Sequence, residues 1–225
     1  MNTIVRRLML LAILCLTIPV TIFAQDSDNA ELINTLMEQV EAEVLQSTES
    51  LDGSIMASVT VYLCTDIDGQ EYAYEQLTLT PQSGDSVVVA EQFIACGGLG
   101  GYGLWILRWT DNYLYYTDAR EGVPDGLQQG YAPPIWRIDL DTMEANDLGQ
   151  ALFSPGGQSL VAWSGTMIRV IESDGMETVE FTTTSEDFSI ANVLWLPDSS
   201  GILYLQADAP FASTQSSVLA WGRGV

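Results

Sequence analysis

The chain has 225 residues, with 30 acidic side chains against seven basic ones and no histidine, for a formal charge of −23. Such a charge repels nucleic acid and anionic lipid at ordinary salt and favours solubility, cations or basic partners. No lysine occurs either, so Ser-His-Asp triads and histidine metal clusters are excluded within the chain, and acid–base work falls to Asp, Glu, Tyr or Cys.

The N-terminus reads as an export signal over residues 1–24. Arg6 and Arg7 precede an uncharged apolar run over 8–24, which ends in the small Ala24 before the polar Gln25-Asp26-Ser27-Asp28. At 17 residues the run is at the short end for spanning a bilayer, and an uncleaved anchor is the competing reading. Cys15 lacks the small preceding residue of a lipid-attachment site. Cleavage after Ala24 removes Arg6 and Arg7, leaving 201 residues with five arginines, 30 acids and a net charge of −25, with no membrane-spanning segment. The acidity is read as a solvated surface.

Residues 25–50 are read as a helix with a linker. Leu32, Ile33, Leu36, Met37, Val40, Val44 and Leu45 recur at helical spacing over 29–47, with Asp28 as cap. Beyond residue 50, short β-branched and aromatic runs alternate with Gly, Pro, Asp and Ser. The expected strands are 56–64, 71–80, 86–95, 104–109, 113–117, 135–140, 151–154, 159–164, 167–172, 178–183, 192–196, 201–206 and 218–221. The fold class is therefore all-β, with one N-terminal helix.

Three windows repeat. Trp109-Thr110-Asp111-Asn112, Phe153-Ser154-Pro155-Gly156-Gly157 and Trp195-Leu196-Pro197-Asp198 each close one apolar strand and open the turn to the next, and their aromatic anchors stand 44 and 42 residues apart. Residues 50–58 read as a fourth, weaker copy, with an insertion after it. A period of about 40–45 residues with about four strands per unit is the sequence signature of a β-propeller. Pro155 and Pro197 preset the turn backbone, and the aromatic before each is placed to fill the wedge between blades.

These windows resemble the WD40-like repeat of the TolB type, and residues 151–175 match best, continuing through Ile168-Arg169-Val170-Ile171-Glu172 to Asp174-Gly175. The resemblance implies a β-propeller of three to four antiparallel blades, over roughly 51–100, 101–150, 151–190 and 191–225; the last repeat stops after its third strand near Trp221, so either the sequence is part of a longer protein, or an N-terminal strand closes the ring, or the repeats form an open arc, the first being the preferred reading. It specifies a fold better than a function. Repeats without catalytic residues behind an export signal are read as an exported, non-catalytic module whose blade loops contact a protein or glycan. The alternative is the propeller half of a prolyl-oligopeptidase-like hydrolase whose catalytic domain lies outside this chain.

Remaining candidates are few. Cys64 and Cys96, the mature cysteines, most simply pair as a disulfide in an oxidising compartment, the periplasm or the exterior. Asp66, Asp68 and Glu71 resemble part of a calcium loop, but Cys64 occupies its first ligand position, so a polar hairpin turn is the better reading and no cofactor is expected. Asp139, Asp141, Glu144 and Asp147 read as another turn and solvated face. Gly98-Leu99-Gly100-Gly101-Tyr102-Gly103 spells a dinucleotide fingerprint without the helix that such a cradle needs. The insertion over 118–134 brings Arg120, Tyr131 and Trp136, which are read as either binding or packing residues.

Overall fold

The computed structural model describes residues 33–34, 37–38, 41–67, 70–95, 103–119, 132–182, 188–208 and 216–222. These form antiparallel meanders in chain order. The first sheet runs β1 (Ala42–Glu49), β2 (Ile55–Ile67), β3 (Gln70–Pro81), β4 (Val87–Ala95). A seven-stranded sheet follows, with β5 (Trp105–Trp109), β6 (Tyr113–Thr117), β7 (Pro134–Asp139), β8 (Ala145–Phe153), β9 (Ser159–Ser164), β10 (Met167–Glu172) and β11 (Glu177–Thr182). The last sheet is β12 (Phe188–Trp195), β13 (Gly201–Asp208), β14 (Ser216–Gly222).

The helix expected over 29–47 is corrected. Among the described residues, helical backbone is limited to Ile33, Asn34, Met37 and Glu38, whereas Ala42–Glu49 is β1, paired with β2 from Ala42↔Tyr62 to Glu49↔Met56. Val44 is 59% exposed while the next residue, Leu45, packs on the first core cluster. The segment is a strand with a bulge between Val44 and Gln46, which helical spacing had disguised. Gln46 shows why a strand wins. Its amide nitrogen donates to the Ile106 carbonyl at 2.9 Å, and its oxygen accepts from the Ile106 N–H at 2.8 Å. One side chain thus satisfies the open edge of β5 as a neighbouring strand would.

The seven-stranded sheet is two meanders joined at a corner in β8. Its first part pairs with β7 (Trp136↔Asp147, Ile138↔Ala145), and its last part pairs with β9 (Ala151↔Ala162, Phe153↔Leu160). Between them stands Gly149 at φ 76°, its N–H donating to the Asp147 carboxylate at 2.8 Å. That left-handed backbone suits glycine.

Four meanders result, and they pack face to face in sequence order. Ala57, Val59, Leu77 and Leu79 of the first meet Ile106, Leu114, Tyr116 and Ile138 of the second. Tyr115, Ile135 and Leu148 on the second's other face meet Ala151, Leu160, Ala162 and Ile171 of the third. Val161, Trp163, Ile168 and Val170 on the third's far face meet Ile190, Val193, Ile202 and Tyr204 of the fourth. Each central meander is buried on both faces, which is how repeat units that cannot bury themselves alone become stable. This is blade-like stacking, but no closed propeller is found: among the described residues no buried cluster joins the fourth meander to the first.

Candidate binding face

Tight turns gather at one end of the stack. Three share one bonding pattern. Ser50 N–H donates to Ile55 O and Gly53 N–H to Ser50 O; Ser154 N–H to Ser159 O and Gly157 N–H to Ser154 O; Leu196 N–H to Gly201 O and Ser199 N–H to Leu196 O. The fourth residue of each turn has positive φ: Gly53 at 72°, Gly157 at 67°, Ser199 at 61°. The turn after β5 is shorter, closed by Thr110 N–H donating to Tyr113 O. Gly156 N–H donates to the Ser199 hydroxyl at 3.1 Å, so turns of neighbouring meanders touch.

Acidic side chains hold these turns. Asp52 Oδ1 accepts from the Ser54 N–H at 2.9 Å and from the Ser50 and Ser54 hydroxyls at 2.7 Å. Asp198 Oδ1 repeats the arrangement on Ser200, and Asp174 Oδ1 takes the Met176 N–H. Asp139 Oδ1 takes the N–H groups of Asp141 and Thr142, so it too stabilises a turn. Such bonds favour the ionised carboxylate. The Ser54 N–H, then the Ser54 and Ser50 hydroxyls, pull Asp52 from 3.8 to about 2, and the bonds from Ser200 lower Asp198 likewise. A carboxyl whose folded pKa is depressed contributes stability above its unfolded value, which is lost as pH falls through the folded one. Thermal melts of the wild type are therefore expected to fall between pH 3.8 and about 2. In Asp52→Ala that fall should be shallower, and an unchanged pH slope would remove Asp52 from the account.

Two clefts open between the turns. One, of about 200 Å³, is lined by Leu51, Arg108, Trp109, Thr110, Asp111, Gln158, Ser173 and Asp174. The other, of about 300 Å³, lies between Ser50, Leu51, Asp52, Ile55, Asp111 and Leu140. Leu51 belongs to both and is 68% exposed. Neither Leu51 nor Arg108 stands out in the sequence: the first sits in a polar turn, the second in an apolar strand.

The anchors lie at strand ends beside these turns. Trp109 closes β5 and is buried. Phe153 closes β8, edge-on to Tyr115 at 5.5 Å. Trp195 closes β12, and its indole N–H donates to Leu152 O at 2.9 Å, tying the fourth meander to the third. Pro155 and Pro197 sit exposed in the turns that follow. Trp136 stacks on Tyr116 with centroids 6.2 Å apart, a packing role.

The other candidates are not brought to this face. Asp66 and Glu71 are register partners in β2 and β3, and Asp68 lies outside the described residues. Among the described residues no group of three or more Cys, Asp or Glu is placed to hold a metal ion. Cys64 lies in β2, and β3 separates it from β4, which ends one residue before Cys96. Cys96 is outside the described residues, as are residues 1–24, 98–102, Arg120 and Tyr131. Among the described residues no helix is long and apolar enough to cross a membrane.

No protein-family model and no curated protein matches the sequence. Solved structures do. The putative TolB from Agrobacterium tumefaciens is 15% identical over 78% of this chain and 60% of that one, with a TM-score of 0.30. An oligogalacturonate lyase in complex with manganese gives 15% over 78% and 49%, at 0.30, and Kluyveromyces lactis Hsv2p gives 17% over 74% and 47%, at 0.29. The chain thus spans less than two thirds of each of these structures. Likeness at this level carries no argument about activity, and the architecture above rests on the chain's own sheets.

Proposed function

We propose that the protein is an exported, non-catalytic binding module that holds a protein partner on its turn face and needs no cofactor. The observation that carries this reading is Leu51, a large apolar side chain 68% exposed where two clefts meet, ringed by Asp52, Asp111, Asp141 and Asp174. An apolar centre inside a polar rim is the anatomy of a protein interface. The acidic rim suits a basic surround on the partner and speeds its encounter. Among the described residues the exposed large apolar side chains are aliphatic or methionine, which favours a protein over a glycan. The basic-then-apolar leader supports export, and the absence of His and Lys supports a role without chemistry.

The test is Leu51→Glu. Because Leu51 is exposed, the melting temperature should stay close to wild type. Proteins cross-linked by the wild type in an envelope extract should be captured at least about tenfold less by the variant, the scale of an interface hot spot. An identical captured set would overturn the reading.

A further inference from the structure

Arg108 is a cation on this face, and among the described residues it makes no ion pair. A β-bulge between Ile106 and Arg108 resets the alternation of β5. Ile106 and Trp109 both turn to the first meander, and Arg108 turns the other way, into the junction of the second and third. Bulges commonly re-aim side chains in this manner. The guanidinium carbon stands 5.7 Å from the centroid of the Phe153 ring. Gly157 makes room for it, since a Cβ there would fall 2.3 Å from Arg108 Nη1.

The other described arginines have partners. Arg169 pairs with Glu177 at 3.4 Å. Arg137 lies over the Tyr113 ring at 4.5 Å and donates to Gly175 O at 3.4 Å. Arg108 makes no ion pair among the described residues, although carboxylates surround it. Those carboxylates are directed elsewhere: Glu172 accepts from the Ser159 hydroxyl at 2.7 Å and the Thr178 hydroxyl at 3.3 Å, and Asp174 accepts from the Met176 N–H. In a chain with 30 acids, this guanidinium is unmatched among the described residues, at a small open recess lined also by Gln158, Ser173, Leu160 and Ile171.

We infer that Arg108 is the anchor of a pocket for an Asp or Glu side chain carried on a basic segment of the partner protein. This rests on the binding role proposed for the turn face. The planar guanidinium offers paired N–H donors that fit a carboxylate bidentately, and the Phe153 ring and apolar wall strengthen that pair over one in open water. The net charge of −23 selects the source of the carboxylate. A free anion is repelled at long range, whereas a carboxylate flanked by Arg or Lys is drawn in by Asp111 and Asp174. The partner's charge pattern, basic around a single acid, is the reverse of this face.

The experiment uses three capped, amidated peptides of arginines and leucines, identical except for a central Glu, Gln or Lys. Binding is titrated by calorimetry and by intrinsic tryptophan fluorescence, to which Trp109 in the lining of the adjoining cleft contributes. The wild type should bind the Glu peptide at least about tenfold more tightly than the Gln peptide, the worth of one charge-assisted bidentate pair. Arg108→Gln should erase that preference while still binding the basic flanks, and Arg108→Lys should keep part of it. If Arg108→Gln fails to fold, Arg108→Lys with the three peptides remains decisive. Equal binding of Glu and Gln peptides, tightest binding of the Lys peptide, or binding of none would each overturn the pocket. Leu51→Glu tells the two readings apart: if it abolishes partner capture while the peptides bind alike, the binding face stands and the Arg108 pocket falls.

Discussion

Trp163→Ala is expected to cost about 3–5 kcal/mol of stability, as large-to-small substitutions of a buried tryptophan do. Trp163 is among the largest fully buried side chains, at 1% exposure, and sits in β9 among Val161, Ile168, Val170, Ile190, Val193, Ile202 and Tyr204. That cluster joins the third meander to the fourth. Among the described residues the buried indole nitrogen has no hydrogen-bond partner. Removing it returns about 1–3 kcal/mol, so the net loss should fall toward the lower end of the range. The fourth meander should loosen first. Denaturant unfolding would give the free energy, and hydrogen exchange would show β12 and β13 losing protection before β6 and β7. A loss below about 1 kcal/mol, the typical cost of an average substitution, would mean the meanders are not coupled through this cluster.

Gly149→Ala is expected to cost about 1–3 kcal/mol, the range for a residue forced into a strained backbone. Two effects add. Alanine at φ 76° carries the left-handed penalty, and its Cβ would lie 2.9 Å from the Trp163 carbonyl oxygen. That oxygen belongs to the backbone and cannot rotate away, so the corner in β8 must open. Gly165→Ala separates the two effects: its φ is 56° and nothing stands within 4 Å of an added Cβ, so it should show the backbone penalty alone. Equal losses in the two variants, read from thermal melts, would show that the contact with β9 carries no strain.

Most of the strands were legible because their chemistry is local. Runs such as Tyr113-Leu114-Tyr115-Tyr116-Thr117 and Ser159-Leu160-Val161-Ala162-Trp163 combine β-branched and aromatic residues with sharp turn signals at both ends. Two segments were not legible. Ala145-Asn146-Asp147-Leu148 is polar and reads as a turn, yet it forms the first part of β8 because β7 offers it a ladder. Ala42–Glu49 fits helical spacing, yet becomes β1 because β2 offers a ladder and β5 an edge for Gln46 to satisfy. In both, long-range pairing outweighs weak local preference.

The candidate binding face was hidden for a related reason. The acids at the turns, the anchors Trp109, Phe153 and Trp195, and the spacing between them are properties of composition and short-range order, and one chain suffices to read them. So is the formal charge of −23. Which acids are committed to their own backbone, which side of β5 Arg108 faces, and that Leu51 stands between two clefts depend on a bulge, a corner at Gly149 and the stacking of one meander on the next. A strand's two faces are equivalent until something packs on them, so only the tertiary structure could assign the arginine to a pocket and the leucine to the surface.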